Sequence, residues 1–371
     1  VVKVLYVITG LGKGGAERQL YYLIKNLPKG YEAKVCAFVD GYFSEKIRSL
    51  GIEVRIFKGG LSAFGEFRAV LGEFKPDIVH SWLTHANLFC KINNIFRRYT
   101  LICSMRGIEY GVAWHRLLSG TERLFDFGCS MLITNSNSFK EELISKWKYN
   151  QKKLKVVYNA YVPSEELGIN ILKELNLKSK YLVVTVANFR SGKDYPTTVK
   201  TAKEVLRHKK DTHFLFVGEG PKRGEIEKMV ESEGLGNNIH FLGVRNDVPA
   251  ILARSAVMFL PTLYEAQSNV IIEAMFSKCP IVTTNIPANS ELLTEGKEGF
   301  LLESGDFKEM AERIIYLLQN KKIAKEMREN AYQKAKKIFL LENTIMMYIR
   351  SYADLILEFP VFLTRGSSLK K

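Results

Sequence analysis

Residues 1–18 read VVKVLYVITGLGKGGAER. Val2–Thr9 is an almost unbroken apolar and β-branched run, the mark of a strand covered on both faces. Glycines at 10, 12, 14 and 15 interrupt it, and an amphipathic stretch then runs from about Ala16 to Leu27. Strand, glycine turn and helix in that order form the first half of a βαβ unit. Working outward, Ala33–Val39, Glu53–Phe57, Asp77–Trp82, Leu101–Met105 and Met131–Thr134 read as further strands with helical patterns between them. This alternation predicts a parallel sheet with helices on both faces.

The pattern restarts after the turn-like segment Asn159–Pro163. Tyr181–Ala187, Thr212–Gly218, Ile239–Gly243, Val257–Pro261 and Pro280–Thr283 form a second strand series. The prediction is an α/β fold of two doubly wound, Rossmann-like domains, residues 1–163 and 164–340. Ligands in such sheets bind beyond the carboxyl ends of the strands, so the expected site is a cleft across which the two domains face. Residues 307–358 read as two or three helices. The segment 341–360 is expected to return to the first domain, and 361–371 to be a loose tail. At roughly 150 residues per domain, a chain of 371 residues agrees with two.

Composition narrows the class. With 46% hydrophobic residues the chain is of ordinary globular make-up. No run approaches the ~18 to 20 apolar residues of a membrane span. The N-terminus has too few apolar residues before its glycines for a signal peptide. The five cysteines, Cys36, Cys90, Cys103, Cys129 and Cys279, lack CxxC spacing and predict buried thiols in a reducing cytoplasm. The net charge is +15, and residues 1–165 carry 24 Lys and Arg against 14 Asp and Glu, whereas 166–371 carry 30 against 25. That bias implies an anionic partner for the first half: nucleic acid, a phosphorylated substrate or an anionic membrane surface. A generally lysine-rich proteome would give the same excess without any partner.

The motifs follow strands. Gly14 and Gly15 open a helix whose free N–H groups suit an anion, although a plain βα turn can carry as many glycines. Ala187–Asp194 (ANFRSGKD) places Arg190 and Lys193 three residues apart on a loop, able to converge on a diphosphate, or else to be a solvated basic loop. Residues 261–275, PTLYEAQSNVIIEAM, carry Glu265 on a polar loop and Glu273 on a helix starting near Ser268. Two carboxylates there can accept sugar or ribose hydroxyls, and the helix N-terminus between them can hold phosphate. Gly218-Glu219-Gly220-Pro221 and Val244-Arg245 also follow strands and can line a nucleotide pocket or serve as connectors. His80 and His85 bracket the end of another strand. With no third ligand nearby they read as cleft or core residues, and no metal is expected.

Together these motifs resemble the retaining nucleotide-sugar glycosyltransferases of family 4, which have the GT-B fold. The resemblance spans about residues 3–340. It rests on GGAER, PDIVHSWLTHAN (residues 76–87), Asn135-Ser136, Tyr158-Asn159-Ala160, GEGP and FLG in the family's order. Its most specific element is the E-x7-E pair Glu265 and Glu273, followed by Ala-Met and Cys279-Pro280. The resemblance implies that Arg190 and Lys193 hold the donor diphosphate and offset charge on the leaving group. Glu265 would contact the donor sugar with help from the backbone of Ala266, Gln267, Ser268 and Asn269, and Glu273 the ribose. Val244 and Arg245 would meet the base, with Gly14, Gly15 and Gly218 lining the donor site. Arg106 stands where the family commonly has a histidine, and is taken as a catalytic candidate that would bind a phosphate or orient the acceptor.

The acceptor side would draw on His80, His85 and Glu109. No cofactor or metal is implied, because cationic side chains and a helix N-terminus replace it. The acceptor is expected to be a sugar or lipid-linked glycan in cell-surface polysaccharide or glycolipid synthesis. Its membrane would be met by the basic and aromatic stretch Ala113–Phe127 together with Lys91, Arg97 and Arg98. The enzymatic alternative is a nucleotide-sugar 2-epimerase of the same fold, and the non-enzymatic one is a nucleic-acid-binding protein. The latter would need stacking platforms or a recognition helix, and neither is found.

Overall fold

The computed structural model describes residues 1–97, 99–107, 121–163, 171–177 and 181–358. The opening apolar run forms β1 (Val2–Gly10), whose centre from Val4 to Ile8 is wholly buried. It pairs in parallel with β2 (Tyr31–Val39) on one side and β4 (Ile78–Trp82) on the other. β3 (Val54–Ile56), β5 (Leu101–Met105), β6 (Met131–Thr134) and β7 (Leu154–Val156) complete a seven-stranded sheet, ordered β3-β2-β1-β4-β5-β6-β7. The strand order reverses between β1 and β4, which makes their carboxyl ends the switch point of this sheet.

The second unit repeats the plan. β8 (Tyr181–Val186) is flanked by β9 (Thr212–Val217) and β11 (Val257–Leu260). With β10 (Ile239–Gly243), β12 (Ile281–Thr284) and β13 (Phe300–Leu302) the order is β10-β9-β8-β11-β12-β13, again all parallel. Its switch point lies between β8 and β11. The sequence reading lacks β7 and β13. Both are edge strands of three residues, as is β3, which the sequence did show; at that length a hydrophobic period is a weak signal.

The compact units are residues 1–160 joined by the segment from Leu341 onward, and Tyr161–Leu340. The division falls at 160 rather than 163 for local reasons. The Gln19 side chain holds Ala160 by both backbone groups, donating to its oxygen (2.8 Å) and accepting from its N–H (2.7 Å). Tyr161 instead donates its N–H to Phe339 (2.8 Å) and stacks its ring on Phe276 at 4.1 Å between centroids.

Helix Leu341–Glu358 supplies core to the first unit. Tyr348, Tyr352 and Leu355 are buried in one cluster with Val4, Tyr6, Ile78, Trp82 and Ile102. A polar chain runs through this cluster. Tyr352 Oη lies 3.3 Å from Tyr6 Oη and 2.7 Å from His80 Nδ1, and His80 Nε2 lies 2.9 Å from Ser104 Oγ. Burial, and then the Arg106 charge, hold the His80 imidazole well below its ordinary range. Hence His80 is a core residue and presents no face to an acceptor.

A histidine kept neutral in the fold makes stability depend on pH. The unfolded chain takes up a proton below about pH 6.5 that the folded chain refuses. Stability is therefore full above that pH and falls on acidification, by at most about 1.4 kcal/mol per pH unit for one such site. His80→Gln, which cannot titrate, is expected to flatten the calorimetric loss of melting temperature between about pH 7 and pH 5. An unchanged slope in that variant would remove His80 as its source.

Candidate active site

In the second unit the loops leaving β8 and β11 meet at the switch point. After β8 the chain makes a tight turn at Ser191–Lys193. Asp194 follows with φ +33° and caps helix Tyr195–His208, its carboxylate accepting from the Thr197 N–H. After β11, Thr262 Oγ1 donates to Gly192 O (3.0 Å), and the Leu263 N–H donates to the same oxygen (2.9 Å). Thr262 is itself held by Thr284, which accepts from its N–H at 3.1 Å and donates to its oxygen at 2.6 Å. The Asn289 amide bonds Thr283 Oγ1 and Thr284 O, each at 3.0 Å. Thr262, Thr283, Thr284 and Asn289 are all buried, so the two loops are fixed to each other.

This fixing brings Lys193 and Glu265 into a direct ion pair, half-buried on both sides. Arg190 sits beside them with an exposed side chain. Helix Asn269–Phe276 begins at the same rim with Ser268 as its N-cap. The Ser268 hydroxyl is buried and has no hydrogen-bond partner, an unusual state for a cap residue. Glu273, one turn along, is half-buried between the buried Ile272 and Ala274. Sequence reasoning passed over Thr262, Gly192 and Thr284. Their one signal was a threonine directly after a strand-ending proline, which is too common to single out.

Other donor-side candidates stand differently. Gly218 has φ +142°, and a Cβ there would lie 2.1 Å from Ala187 O, so this glycine is needed for two strand-end loops to touch. Val244 is exposed. Arg245 is engaged by carboxylates on both sides, Asp247 at 2.8 Å and Glu174 at 2.6 and 2.9 Å. The hydrogen bonds to Asp247 and then Glu174 raise its pKa. Its guanidinium is thus already committed within the second unit.

In the first unit Gly14 is the N-cap of helix Gly15–Lys25, and the Glu17 carboxylate folds back over it. Burial raises the Glu17 pKa. Arg106 follows β5 and stacks on Trp82, 4.4 Å from the ring centroid. Its guanidinium donates to Tyr348 Oη and to Asn159 Oδ1 (3.0 Å). Burial pushes its pKa down to about 9. His85 is exposed in the first turn of helix Thr84–Arg97. Arg98, Glu109 and residues 113–120 lie outside the described residues. Lys91 is not on the surface: it is wholly buried in ion pairs with Glu122 (2.9 Å) and Asp126 (2.6 Å). Leu124 and Phe127 are exposed, as is Arg123 beside them. Among the described residues no helix is long and apolar enough to cross a membrane. No group of three or more His, Cys, Asp or Glu among them is placed to hold a metal.

Two family models cover the two units in turn. Residues 13–165 match Glycosyltransferase Family 4, and residues 169–334 match Glycosyl transferases group 1. The chain belongs to the family 4 glycosyltransferases. This glycosyltransferase is 25% identical over 355 residues to the GalNAc-alpha-(1->4)-GalNAc-alpha-(1->3)-diNAcBac-PP-undecaprenol alpha-1,4-N-acetyl-D-galactosaminyltransferase of Campylobacter jejuni, spanning 91% of this chain and 94% of that one. It is 26% identical over 269 residues to the UDP-Gal:alpha-D-GlcNAc-diphosphoundecaprenol alpha-1,3-galactosyltransferase of Escherichia coli, over 68% and 69% of the two chains. In fold it resembles HepE of Anabaena, solved in complex with UDP-glucose, at a TM-score of 0.86 and 20% identity, covering 96% of this chain and 100% of that one. The fold is GT-B.

Two glycines of the glycosyltransferase should respond oppositely to alanine. Gly218→Ala puts a methyl into backbone and should lower the stability of the second unit by about 1–3 kcal/mol. Gly224, in helix Arg223–Ser232 with nothing within 4 Å of its Cβ position, should gain up to about 1 kcal/mol on the same change. Denaturant melts of the two variants check both signs.

Proposed function

We propose that this glycosyltransferase is a retaining, metal-independent hexosyltransferase. It takes its sugar from a nucleoside diphosphate donor, UDP before GDP, and delivers it to a hydroxyl of a sugar or lipid-linked glycan. The observation that carries the donor half is the Lys193–Glu265 pair beside the N-terminus of helix Asn269–Phe276. When the glycosidic bond breaks, negative charge grows on the departing diphosphate. Lys193 and Arg190 supply cations there, and the helix N-terminus supplies oriented N–H dipoles. Glu265 is fixed by the same loop contacts and would accept hydroxyls of the donor sugar, while Glu273 would accept those of the ribose. UDP is favoured by the UDP-glucose complex of HepE and the UDP-galactose donor named for the E. coli relative.

The acceptor half rests on the relatives, two of which act on undecaprenol-linked glycans by name. The first unit would take this acceptor at the cytoplasmic face of a membrane, which agrees with five buried free thiols. Exposed Leu124 and Phe127 beside Arg123 offer an apolar and cationic contact for an anionic lipid surface.

Four measurements test this reading. Without added metal, UDP at ~100 times its dissociation constant should stabilise the protein by about 2.7 kcal/mol, and Lys193→Ala or Glu273→Ala should abolish the shift. NMR of the product should show the donor's anomeric configuration retained, with turnover unchanged by EDTA. Turnover of donor in the absence of acceptor, giving an epimer, would overturn the assignment. Sedimentation with anionic vesicles at low salt should be lost in a Leu124→Ser, Phe127→Ser double variant.

A further inference from the structure

At the carboxyl rim of the first sheet, three buried polar atoms have no hydrogen-bond partner: Arg106 Nε, Trp82 Nε1 and Asn135 Oδ1. They belong to neighbouring strand ends. Trp82 pairs with Ser104 and Met105 with Thr134, so Arg106 and Asn135 each lie one residue beyond the last β5–β6 pair. Side chains alternate along a strand. Trp82 shares its face with Ile102 and Ile133, and Arg106 and Asn135 follow those two in even steps. The 4.4 Å stack of Arg106 on Trp82 places the guanidinium on this face. Thr9 Oγ1 also lacks a partner, but Thr9 is out of step with Tyr6 and Ile8 and belongs to the opposite face.

The charge is as notable as the orphaned donors. Arg106 bonds Asn159, Tyr348 and Val157 O, all neutral, and among the described residues no carboxylate pairs with it. A partly buried cation with no anion among the described residues is costly, and so is a buried N–H without an acceptor. One ligand would relieve both costs. The Asn135 side-chain amide can join in as a donor, because a half-turn about its last bond exchanges the oxygen for the NH₂ group.

We propose that this rim is an oxyanion subsite for the acceptor, with Arg106 as the gripping cation and the Trp82 indole N–H and Asn135 amide as flanking donors. It rests on the reading that the first unit takes the acceptor. The oxyanion is a phosphate, as in a lipid diphosphate, or a carboxylate, as in an acidic sugar. In either case the acceptor is anchored by charge, and its reacting hydroxyl is positioned at a fixed distance from that anchor.

The test is calorimetric titration of the full chain, saturated with UDP so that the donor-side cations are occupied. The probes are inorganic pyrophosphate in one arm and glucuronate in the other. One anion should bind at a single further site, and which one identifies the source. Arg106→Gln should weaken that binding at least tenfold with UDP affinity unchanged. Trp82→Phe, which keeps an aromatic ring and removes the N–H, should weaken it severalfold. Failure of both anions to bind, or binding that survives Arg106→Gln, would overturn the subsite. Should Arg106→Gln fail to fold, unchanged binding in Trp82→Phe overturns it instead. If UDP itself does not bind the wild-type chain, the donor reading fails separately, and the anion titrations without UDP still report on Arg106.

Discussion

Parallel pairing is the constraint on which everything else depends. Strands that run in one direction need a crossover between them, so every strand of a sheet ends on the same rim. Chemistry scattered through the sequence is collected there. Lys193 and Glu265 are 72 residues apart and yet form an ion pair, because β8 and β11 are neighbours that end together. Arg106, after β5, reaches Asn159, after β7, across 53 residues because both strands end on one rim.

The two rims share unpaired buried groups but differ in how their loops are tied. In the second unit the Thr262, Thr283, Thr284 and Asn289 bonds tie one loop to the next. A hydrogen-bonded network of that kind is rigid, and rigidity keeps charged side chains where developing charge will need them. At the first rim Arg106 Nε, Trp82 Nε1 and Asn135 Oδ1 have no partner, as the Ser268 hydroxyl has none at the second. Native proteins leave few buried groups unpaired, so a concentration of them marks a surface made for something other than the protein itself.

Much of this was legible in the sequence. The long strands were, because a strand covered on both faces writes itself as a continuous apolar run. The Glu265 and Glu273 pair stood out because a carboxylate amid Ile, Ala and Met has no packing reason to be there. The edge strands β7 and β13 went unread, although β3, equally short and also at an edge, was read. Long-range partnership was also hidden. His80 stood open between cleft and core, and a tyrosine 272 residues later decides for the core. Lys91 looked like part of a basic surface, but its carboxylate partners lie 31 and 35 residues on. Gly218 looked like a ligand contact, and its constraint is the carbonyl of Ala187. In each case the residue type was informative, and the partner that decided its role was not adjacent in the chain.

The return of helix Leu341–Glu358 makes the second unit an insertion within the first. Its two ends lie side by side, Tyr161 bonding Phe339, so the inserted unit can close on itself before the remaining chain exists. The first unit has no such freedom. Its core includes both Tyr6 and Tyr352, separated by 346 residues. At a synthesis rate of ~5–20 residues per second the ribosome takes on the order of tens of seconds to cover that distance. For that interval the first sheet waits with a bare face where the helix will dock, and the emerging protein matures from the middle outward.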